Sequence, residues 1–208
     1  MFFELFKKNR EQKHKMAAIA EGLYSSAMTN SRKEIFYTRA AVPDTFDGRF
    51  DLLLLHIFII LHILMAGTDR RSKAVSQAIF DRMFADMEQS LREIGIGDAS
   101  IPRQVKRMMK AFNGRMHAYQ EAIAQEQQGI NATKKTLMRN LYGTVTESPD
   151  QENMEIMNNF LQANIRDKSA HRVKKIMQGH IKFDNSPLLK KEQKQSTTTK
   201  STETTRLK

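Results

Sequence analysis

Apolar residues recur at spacings of three and four along most of this 208-residue chain. That spacing is the period of an amphipathic helix, whereas the alternation typical of a half-buried strand is hard to find. Residues 11–29 predict one helix, with Met16, Ile19 and Leu23 on its apolar side, and residues 31–39 predict a shorter one. Only nine Gly and four Pro interrupt the pattern. The sequence therefore predicts an all-α fold.

The most apolar segment of the chain follows a polar, rigid start, and residues 42–65 read VPDTFDGRFDLLLLHIFIILHILM. Asp44 or Thr45 is predicted to cap a helix that carries Phe46 to Ala66, because short polar side chains satisfy the free N–H groups of a first turn. A helix that is apolar on every side is either a membrane span or the centre of a bundle.

The length of the apolar run favours the centre of a bundle over a membrane span. Leu52–Met65 contains 14 residues. They extend about 21 Å at about 1.5 Å per residue, short of the roughly 30 Å hydrocarbon layer. His56 and His62 lie within the run, and each would cost free energy in lipid. We therefore predict a single helical bundle built round one very apolar central helix, with both histidines hydrogen-bonded in the core.

Further helices are predicted along the rest of the chain. Residues 75–94 and 105–123 each carry one clear apolar face at helical spacing, and the second of these helices is predicted to run from 101 to 127. Residues 132–142 predict a short helix. The sequence SPDQ at 148–151 is a capping-box pattern that predicts the start of another helix, with Pro at its first position.

The composition changes near the C-terminal end. Residues 196–205 read STTTKSTETT, so eight of ten positions are Ser or Thr. Such a segment cannot bury enough apolar surface to offset the entropy cost of ordering it. We therefore predict one helical domain at residues 1–184 and a disordered tail rich in Ser, Thr and Lys at 185–208.

The chain is basic, with 34 Lys and Arg against 23 Asp and Glu and a formal charge of +11. Residues 101–208 hold 20 basic and ten acidic side chains. An uneven basic excess indicates an anionic partner such as RNA, the ribosome or lipid headgroups, although a solubilising surface gives the same pattern. Arg103, Arg107 and Lys110 align at spacings of four and three, so this basic surface either tracks phosphates or is a solvated face.

The first residues read MFFELFKKNREQKHK and place Phe2–Phe6 before Lys7, Lys8 and Arg10. A secretory signal is not expected, because the apolar part precedes the charges and no small-residue cleavage site follows. One interpretation is peripheral contact between Phe2–Phe6 and an anionic membrane surface. The other is a first helical turn that packs on the bundle.

No catalytic motif is evident, and the absence of cysteine excludes disulfides, thiolate zinc sites and cysteine nucleophiles. Asp44, Asp47 and Asp51 share one helix face, which suits either a divalent cation or the positive end of the helix dipole. His56 and His62 are six residues apart, a spacing that does not chelate one metal. We expect no enzyme, metal site or cofactor, with an all-α divalent-metal enzyme as the alternative.

Four segments carry a resemblance to a known family. They read VPDTFDGRFDLLLLH at 42–56, IFDRMFADMEQSLREIGIGD at 79–98, VKRMMKAFNGRMHAYQEAI at 105–123 and LMRNLYG at 137–143. In this order and spacing they resemble the ubiquinol–cytochrome c reductase assembly chaperone family (ubiquinol–cytochrome c chaperone). The resemblance covers about residues 35–143, and residues 144–184 show no match of this kind.

The resemblance implies an all-α, non-enzymatic chaperone that helps to assemble the cytochrome b–c1 respiratory complex. Mitochondrial relatives bind newly made cytochrome b, work near the ribosomal tunnel exit and act with a small partner protein. The lack of an import-like leader favours a bacterial member in the cytoplasm, with peripheral contact to the inner face of the inner membrane left open. The alternative is a basic helical module that binds RNA or the ribosome without a client.

Six polar residues inside the family-like segments are the candidate partner-binding residues. They are Arg49, Asp51, Arg115, Tyr119, Arg139 and Asn140. The alternative is a structural role, in which these side chains tie neighbouring helices together. The 13 methionines have two interpretations as well, since methionine side chains either form an adaptable client surface or fill the core.

Overall fold

The computed structural model describes residues 2–67, 70–126, 132–144 and 149–189. Within those ranges the regular structure is helical and contains no strand, so the all-α prediction is confirmed. The helices are α1 (Phe2–Ser31), α2 (Ile35–Thr38), α3 (Phe46–Leu64), α4 (Arg70–Glu93), α5 (Ile101–Glu126), α6 (Ala132–Leu141), α7 (Gln151–Arg166), α8 (Ala170–Ile176) and α9 (Ser186–Leu189). A single 3-10 turn, Asp98–Ser100, precedes α5.

Helix α3 lies against six other helices, namely α1, α4, α5, α6, α7 and α8. Every residue from 51 to 60 is buried. This follows from its sequence, because a helix that is apolar on all sides is stable in water only when neighbours cover all sides. Its two ends are open, since Phe46 and Met65 are both more than half exposed. None of the helices in the described ranges has the length and apolar character needed to span a membrane.

Helix α3 begins with a cap and a close backbone approach. The Gly48 N–H donates to the side-chain oxygen of Thr45 at 3.1 Å, so Thr45 is the cap. Asp44, the other predicted cap, instead pairs with Arg49 at 2.5 Å. A Cβ atom on Gly48 would lie 2.1 Å from the carbonyl oxygen of Pro43. The helix can therefore approach the preceding loop this closely only because residue 48 is glycine.

The start of α7 differs from the predicted one. The Asn153 N–H donates to the Asp150 carboxylate at 2.7 Å, and the Asp150 N–H donates to the Asn153 side chain at 3.3 Å. This reciprocal pair is a capping box, and it places the helix start at Gln151 rather than at Pro149. Asp and Asn fill the two capping roles as well as Ser and Gln do, so the sequence held two overlapping boxes. Ser148 lies outside the described residues.

Helical structure extends further at both ends of the chain than the periodicity indicated. Helix α1 is continuous over Phe2–Ser31, where the pattern predicted residues 11–29. Residues 186–189, which the prediction placed in the tail, form α9 with Leu188 buried. The rest of the predicted tail, residues 190–208, lies outside the described residues, so its disorder stays a prediction. Helix α3, in contrast, ends at Leu64 and is slightly shorter than predicted.

Side-chain amides hold the C-terminal segment 180–189 on the bundle. The buried Asn164 of α7 donates to the Asp184 carbonyl at 3.0 Å and accepts from the Asp184 N–H at 2.9 Å. Asn30 of α1 and Asn185 donate to each other's side chains, at 3.2 and 2.8 Å. Because an amide side chain offers both a donor and an acceptor, it can pair with backbone as a neighbouring strand would. The segment is thereby fixed against both α1 and α7.

Candidate functional site

Four of the six predicted partner-binding residues come together between α3, α5 and α6. They are Asp51 of α3, Arg115 and Tyr119 of α5 and Asn140 of α6, and we call them the inner polar cluster. Arg115 Nη2 donates to Asp51 Oδ2 at 2.9 Å, and Arg115 Nε contacts Asp51 Oδ1. The Asp51 side chain is 3% exposed, whereas that of Arg115 is 26% exposed. The pair therefore joins α3 to α5 with the carboxylate inside and the guanidinium at the edge.

Burial dominates the electrostatics of the inner polar cluster. It raises the pKa of Asp51 to about 6, although the hydrogen bond and charge of Arg115 oppose the rise. It also raises the pKa of the Tyr119 hydroxyl above its ordinary value, and the neighbouring Asn140 side chain opposes that rise. Desolvation disfavours the charged form of an acid, which is the cause in both cases. These side chains therefore meet other helices rather than solvent.

The remaining two predicted residues, Arg49 and Arg139, are exposed. Arg49 pairs with Asp44, and its guanidinium lies 6.0 Å from the centre of the Tyr37 ring. Arg139 donates from Nε to the side-chain oxygen of Asn140 at 3.4 Å and so touches the edge of the inner polar cluster. Burial favours the structural alternative for the cluster itself. Arg49 and Arg139 are accessible at the surface, and partner binding by them stays a prediction.

The aspartates at the start of α3 do not converge on one point. Asp44 pairs with Arg49 at the surface, and Asp51 pairs with Arg115 inside the bundle. Nowhere in the described ranges do three or more His, Asp or Glu side chains form a group that could hold a metal ion. The geometry therefore disfavours the alternative of a divalent-metal enzyme built on these carboxylates.

His56 is a hydrogen-bonded core histidine, as predicted. Its Nδ1 lies 2.7 Å from the Leu52 carbonyl oxygen, which can only accept, so Nδ1 carries the proton. Its Nε2 then accepts from Asn30 Nδ2 at 2.9 Å. The rings of Phe36, Phe160 and Phe183 lie around it. His62 is only half buried and its Nε2 has no hydrogen-bond partner among the described residues, so the prediction holds for His56 alone.

The burial of His56 predicts acid sensitivity. Burial lowers the pKa of His56 to about 4 from its ordinary 6.5. The free energy of unfolding is therefore unaffected by this group above pH 6.5, where His56 is neutral in both states. As pH falls from 6.5 towards 4, the unfolded chain binds a proton at His56 that the folded chain does not, so the free energy of unfolding falls by about 3 kcal/mol in all. In urea unfolding at pH 7 and pH 4.5, His56→Gln should lose much of the wild-type difference. An unchanged difference would contradict this assignment.

A separate apolar groove of about 550 Å³ opens between the end of α3, α4 and α5. Its apolar lining, by which we define the apolar groove, is Leu61, Leu64, Met65, Phe80 and Phe112. The Phe80 and Phe112 rings pack edge to face with their centres 5.5 Å apart, and Met65 is 59% exposed at the mouth. This groove was not predictable from local sequence patterns, because its walls come from three separate helices.

Helix α5 borders the apolar groove and also carries the predicted basic surface. Arg103, Arg107 and Lys110 are all exposed on α5, while Phe112 of the same helix faces the groove. Of the two interpretations for the methionines, core filling applies to Met83, Met87, Met108 and Met116, which are buried. Met109 is partly exposed. Helix α5 thus presents Phe112 to the groove and its three cations to solvent on the opposite side, at about 100° per residue.

Comparison with known proteins decides the family. The model of the family described as ubiquinol-cytochrome C chaperone matches residues 38–183. This chain belongs to the ubiquinol–cytochrome c chaperone family. The match extends beyond the resemblance found at 35–143 and takes in α7 and α8. Helices α7 and α8, which the motifs could not place, are therefore part of the chaperone-family region.

Curated relatives carry the name ubiquinol-cytochrome c reductase complex assembly factor 1. The mouse protein is 28% identical over 139 residues, which cover 67% of this chain and 46% of that protein. The human protein is 26% identical over 154 residues, covering 74% and 50%. The chain thus spans about half the length of these two relatives. The crystal structure of the Cbp3 homolog from Brucella abortus is 30% identical, with a TM-score of 0.67 over 88% of this chain and 97% of that chain.

Sequence reasoning missed several residues that organise this chaperone-family fold. Tyr142 donates to the Ala40 carbonyl at 2.5 Å and so holds the loop before α3 against the end of α6. Tyr142 lies inside the LMRNLYG segment, which was the one available signal. Asn30 and Asn164, which secure the C-terminal segment, had no signal, because a lone asparagine on a helix is usually a solvated residue.

Proposed function

We propose that this protein is a non-enzymatic chaperone that assists assembly of the cytochrome b–c1 respiratory complex. The observation that carries the proposal is the family match over residues 38–183. The names of the mouse and human relatives support it, since both are called assembly factors of the reductase complex. The proposed action is binding rather than chemistry.

The proposed client is newly made cytochrome b, and the proposed contact is the apolar groove. A client with membrane-spanning segments exposes apolar surface before it is inserted. The groove offers Leu, Phe and Met side chains, and Met adapts to varied apolar shapes because it is unbranched and flexible. Arg103, Arg107 and Lys110 are exposed on α5 at least about 140° around the helix from Phe112, so they take no part in this proposed contact.

A matched pair of charge insertions tests this proposal. Met65 is 59% exposed in the groove, and Ile94 is 61% exposed outside it, so Met65→Glu and Ile94→Glu change equally accessible apolar residues. With tagged protein purified from detergent-solubilised cells, we expect Met65→Glu to reduce recovered cytochrome b at least about tenfold, since burying an unpaired carboxylate costs several kcal/mol. Recovery is measured by quantitative mass spectrometry.

The control variant, Ile94→Glu, should recover cytochrome b as the wild type does. Equal losses from both variants would contradict the groove as the contact. A deletion strain provides the broader test, because normal cytochrome b–c1 levels in its membranes would rule out the assembly function itself. The two results separate a wrong contact surface from a wrong function.

The compartment and further partners are proposed from the same family relationship. We place the protein in the bacterial cytoplasm, and the similarity to the Brucella abortus structure supports a bacterial member. Contact with the ribosome and with a small partner protein is proposed by analogy with mitochondrial relatives. The second candidate function, an RNA- or ribosome-binding module without a client, rests on the exposure of Arg103, Arg107 and Lys110. Ribosome co-sedimentation at high salt without nascent chains would favour this second function.

A further inference from the structure

The rest of the bundle does not cover residues 6–15 of α1. The helix has 30 residues and is about 45 Å long. Its first buried side chain is that of Met16, and every side chain described before it, Glu4 and residues 6–15, is exposed. Residues 6–15, about three turns of helix, thus contribute no buried side chain to the core. The exposed side chains on these turns indicate the chemistry of the partner that they could bind.

Basic side chains dominate this uncovered part of α1 and the adjoining start of α4. All eight cations there are exposed. They are Lys7, Lys8, Arg10, Lys13 and Lys15 on α1 with Arg70, Arg71 and Lys73 on α4. Within the described residues none of these eight forms an ion pair, and Glu4 and Glu11 are the only acidic residues on these turns. The surface therefore complements an anionic partner.

One face of the helix combines these cations with an exposed aromatic ring. Phe6 is 70% exposed. Arg10 and Lys13 follow it at spacings of four and three, so the three side chains share a face. Arg70 and Lys13 line the same depression between α1 and α4. At about 100° per residue, Glu4 and Glu11 lie about 160° and 140° around the helix from Phe6, and Glu11 lies about 100° from Arg10.

The distribution of apolar residues favours a lipid surface over RNA. The chain begins MFFELF, so apolar residues gather at one end of α1 and the cations follow them. The side chains of Phe2, Phe3 and Leu5 are outside those that the structure describes. Single-strand RNA binders interleave aromatic rings with cations along a groove. Interfacial helices instead place aromatic and aliphatic side chains below the headgroups, with Lys and Arg at the phosphates.

We propose that Phe6, Arg10, Lys13 and Arg70 form a docking face for an anionic lipid bilayer. Phe6 enters the headgroup region, and the three cations meet lipid phosphates. This face is built from α1 and α4, whereas the apolar groove is built from α3, α4 and α5. Docking on a membrane and capture of a client are therefore separate properties, and either can fail without the other.

Vesicle binding by matched triple variants tests the docking face. One variant is Arg10→Gln, Lys13→Gln and Arg70→Gln, and the control is Arg103→Gln, Arg107→Gln and Lys110→Gln on α5. Both remove two Arg and one Lys from exposed positions. We expect the first to bind vesicles of phosphatidylglycerol and phosphatidylcholine about a hundredfold more weakly, at about fivefold for each cation. The control should bind within about threefold of the wild type.

Tryptophan fluorescence tests the position of Phe6 directly, because the chain contains no tryptophan. Phe6→Trp is expected to shift its emission to the blue on anionic vesicles and not on pure phosphatidylcholine. Ile94→Trp is the control, since Ile94 is 61% exposed at the opposite end of α4. Its emission should stay unchanged on both kinds of vesicle.

Three outcomes would overturn the proposal. One is a wild-type protein that does not bind anionic vesicles, and another is an equal loss in both triple variants, which would indicate net charge alone. The third is binding of single-stranded RNA by the wild type that the first triple variant loses, with no vesicle binding, which would assign the face to nucleic acid. Circular dichroism checks that both triple variants keep the wild-type helix content.

Discussion

Arg115→Met is expected to lower the free energy of unfolding by about 3–5 kcal/mol at pH 8, because it leaves a buried carboxylate without its partner. Methionine keeps most of the length of the arginine side chain, so packing changes little. The cost should shrink at pH 5. Asp51 already has a pKa raised to about 6, and without Arg115 it rises further, so the side chain is neutral at pH 5. Urea unfolding at the two pH values measures the difference.

The sign of this pH effect follows from linkage. An acid whose folded pKa is raised contributes stability below its unfolded pKa, here near 3.8, and loses it as pH rises through the folded value. Removing Arg115 raises the folded pKa of Asp51 further. The stability is therefore lost at higher pH, and more of it is lost. The double variant Asp51→Asn with Arg115→Met has no charge to bury and should regain most of the stability at pH 8. A double variant as unstable as Arg115→Met would show that lost packing is the cause.

Gly48→Ala is expected to destabilise the fold by about 3 kcal/mol, near the upper end for overpacking. The added Cβ would lie 2.1 Å from the Pro43 carbonyl oxygen. The clash is hard to relieve, because either the backbone of α3 or the backbone at Pro43 would have to move. Helix propensity alone predicts the opposite sign, since alanine is favoured over glycine inside a helix by about 1 kcal/mol. The sign of the change in urea unfolding therefore separates the two effects.

Gly114→Ala is the matched control for this substitution. Gly114 lies inside α5, and a Cβ atom there would meet nothing within 4 Å. We expect it to raise the free energy of unfolding by about 1 kcal/mol. If both glycine variants were stabilising, the close approach between α3 and the loop before it would be incorrect. If both were destabilising, alanine at glycine positions would carry a general cost unrelated to Pro43.

Local signals in the sequence predicted the elements of the fold well. Periodicity located α5 and the end of α4 to within one residue, because an amphipathic helix repeats its apolar face over many turns, whereas α4 begins five residues before its predicted apolar face. The polar start of α3 restricted the cap to two residues, and the structure selects Thr45. Helix boundaries were harder to predict where two capping patterns fitted the local sequence equally well. The capping box of α7 is such a case, since Ser148 and Asp150 both had suitable partners three residues later.

The candidate site was predicted only in part. The motifs contained Asp51, Arg115, Tyr119 and Asn140, and the structure brings all four together. Their burial was not predictable, because it depends on which faces of α3, α5 and α6 meet. Neither was the apolar groove, because its shape depends on how the end of α3 packs with α4 and α5.

The sequence by itself determined the helical class, the apolar identity of α3 and the family of the chain, because each of these is written in local spacing and motif order. Only the tertiary structure decided which polar groups pair. Arg115 meets Asp51 across 64 residues, and Asn30 meets Asn185 across 155. Such pairs depend on how whole helices pack, and the spacing of residues along one helix carries no information about the partner that another helix presents. The polar start of α3 thus has two structural roles. Gly48 allows close contact with the preceding loop, and the Asp51 carboxylate pairs with Arg115 of α5.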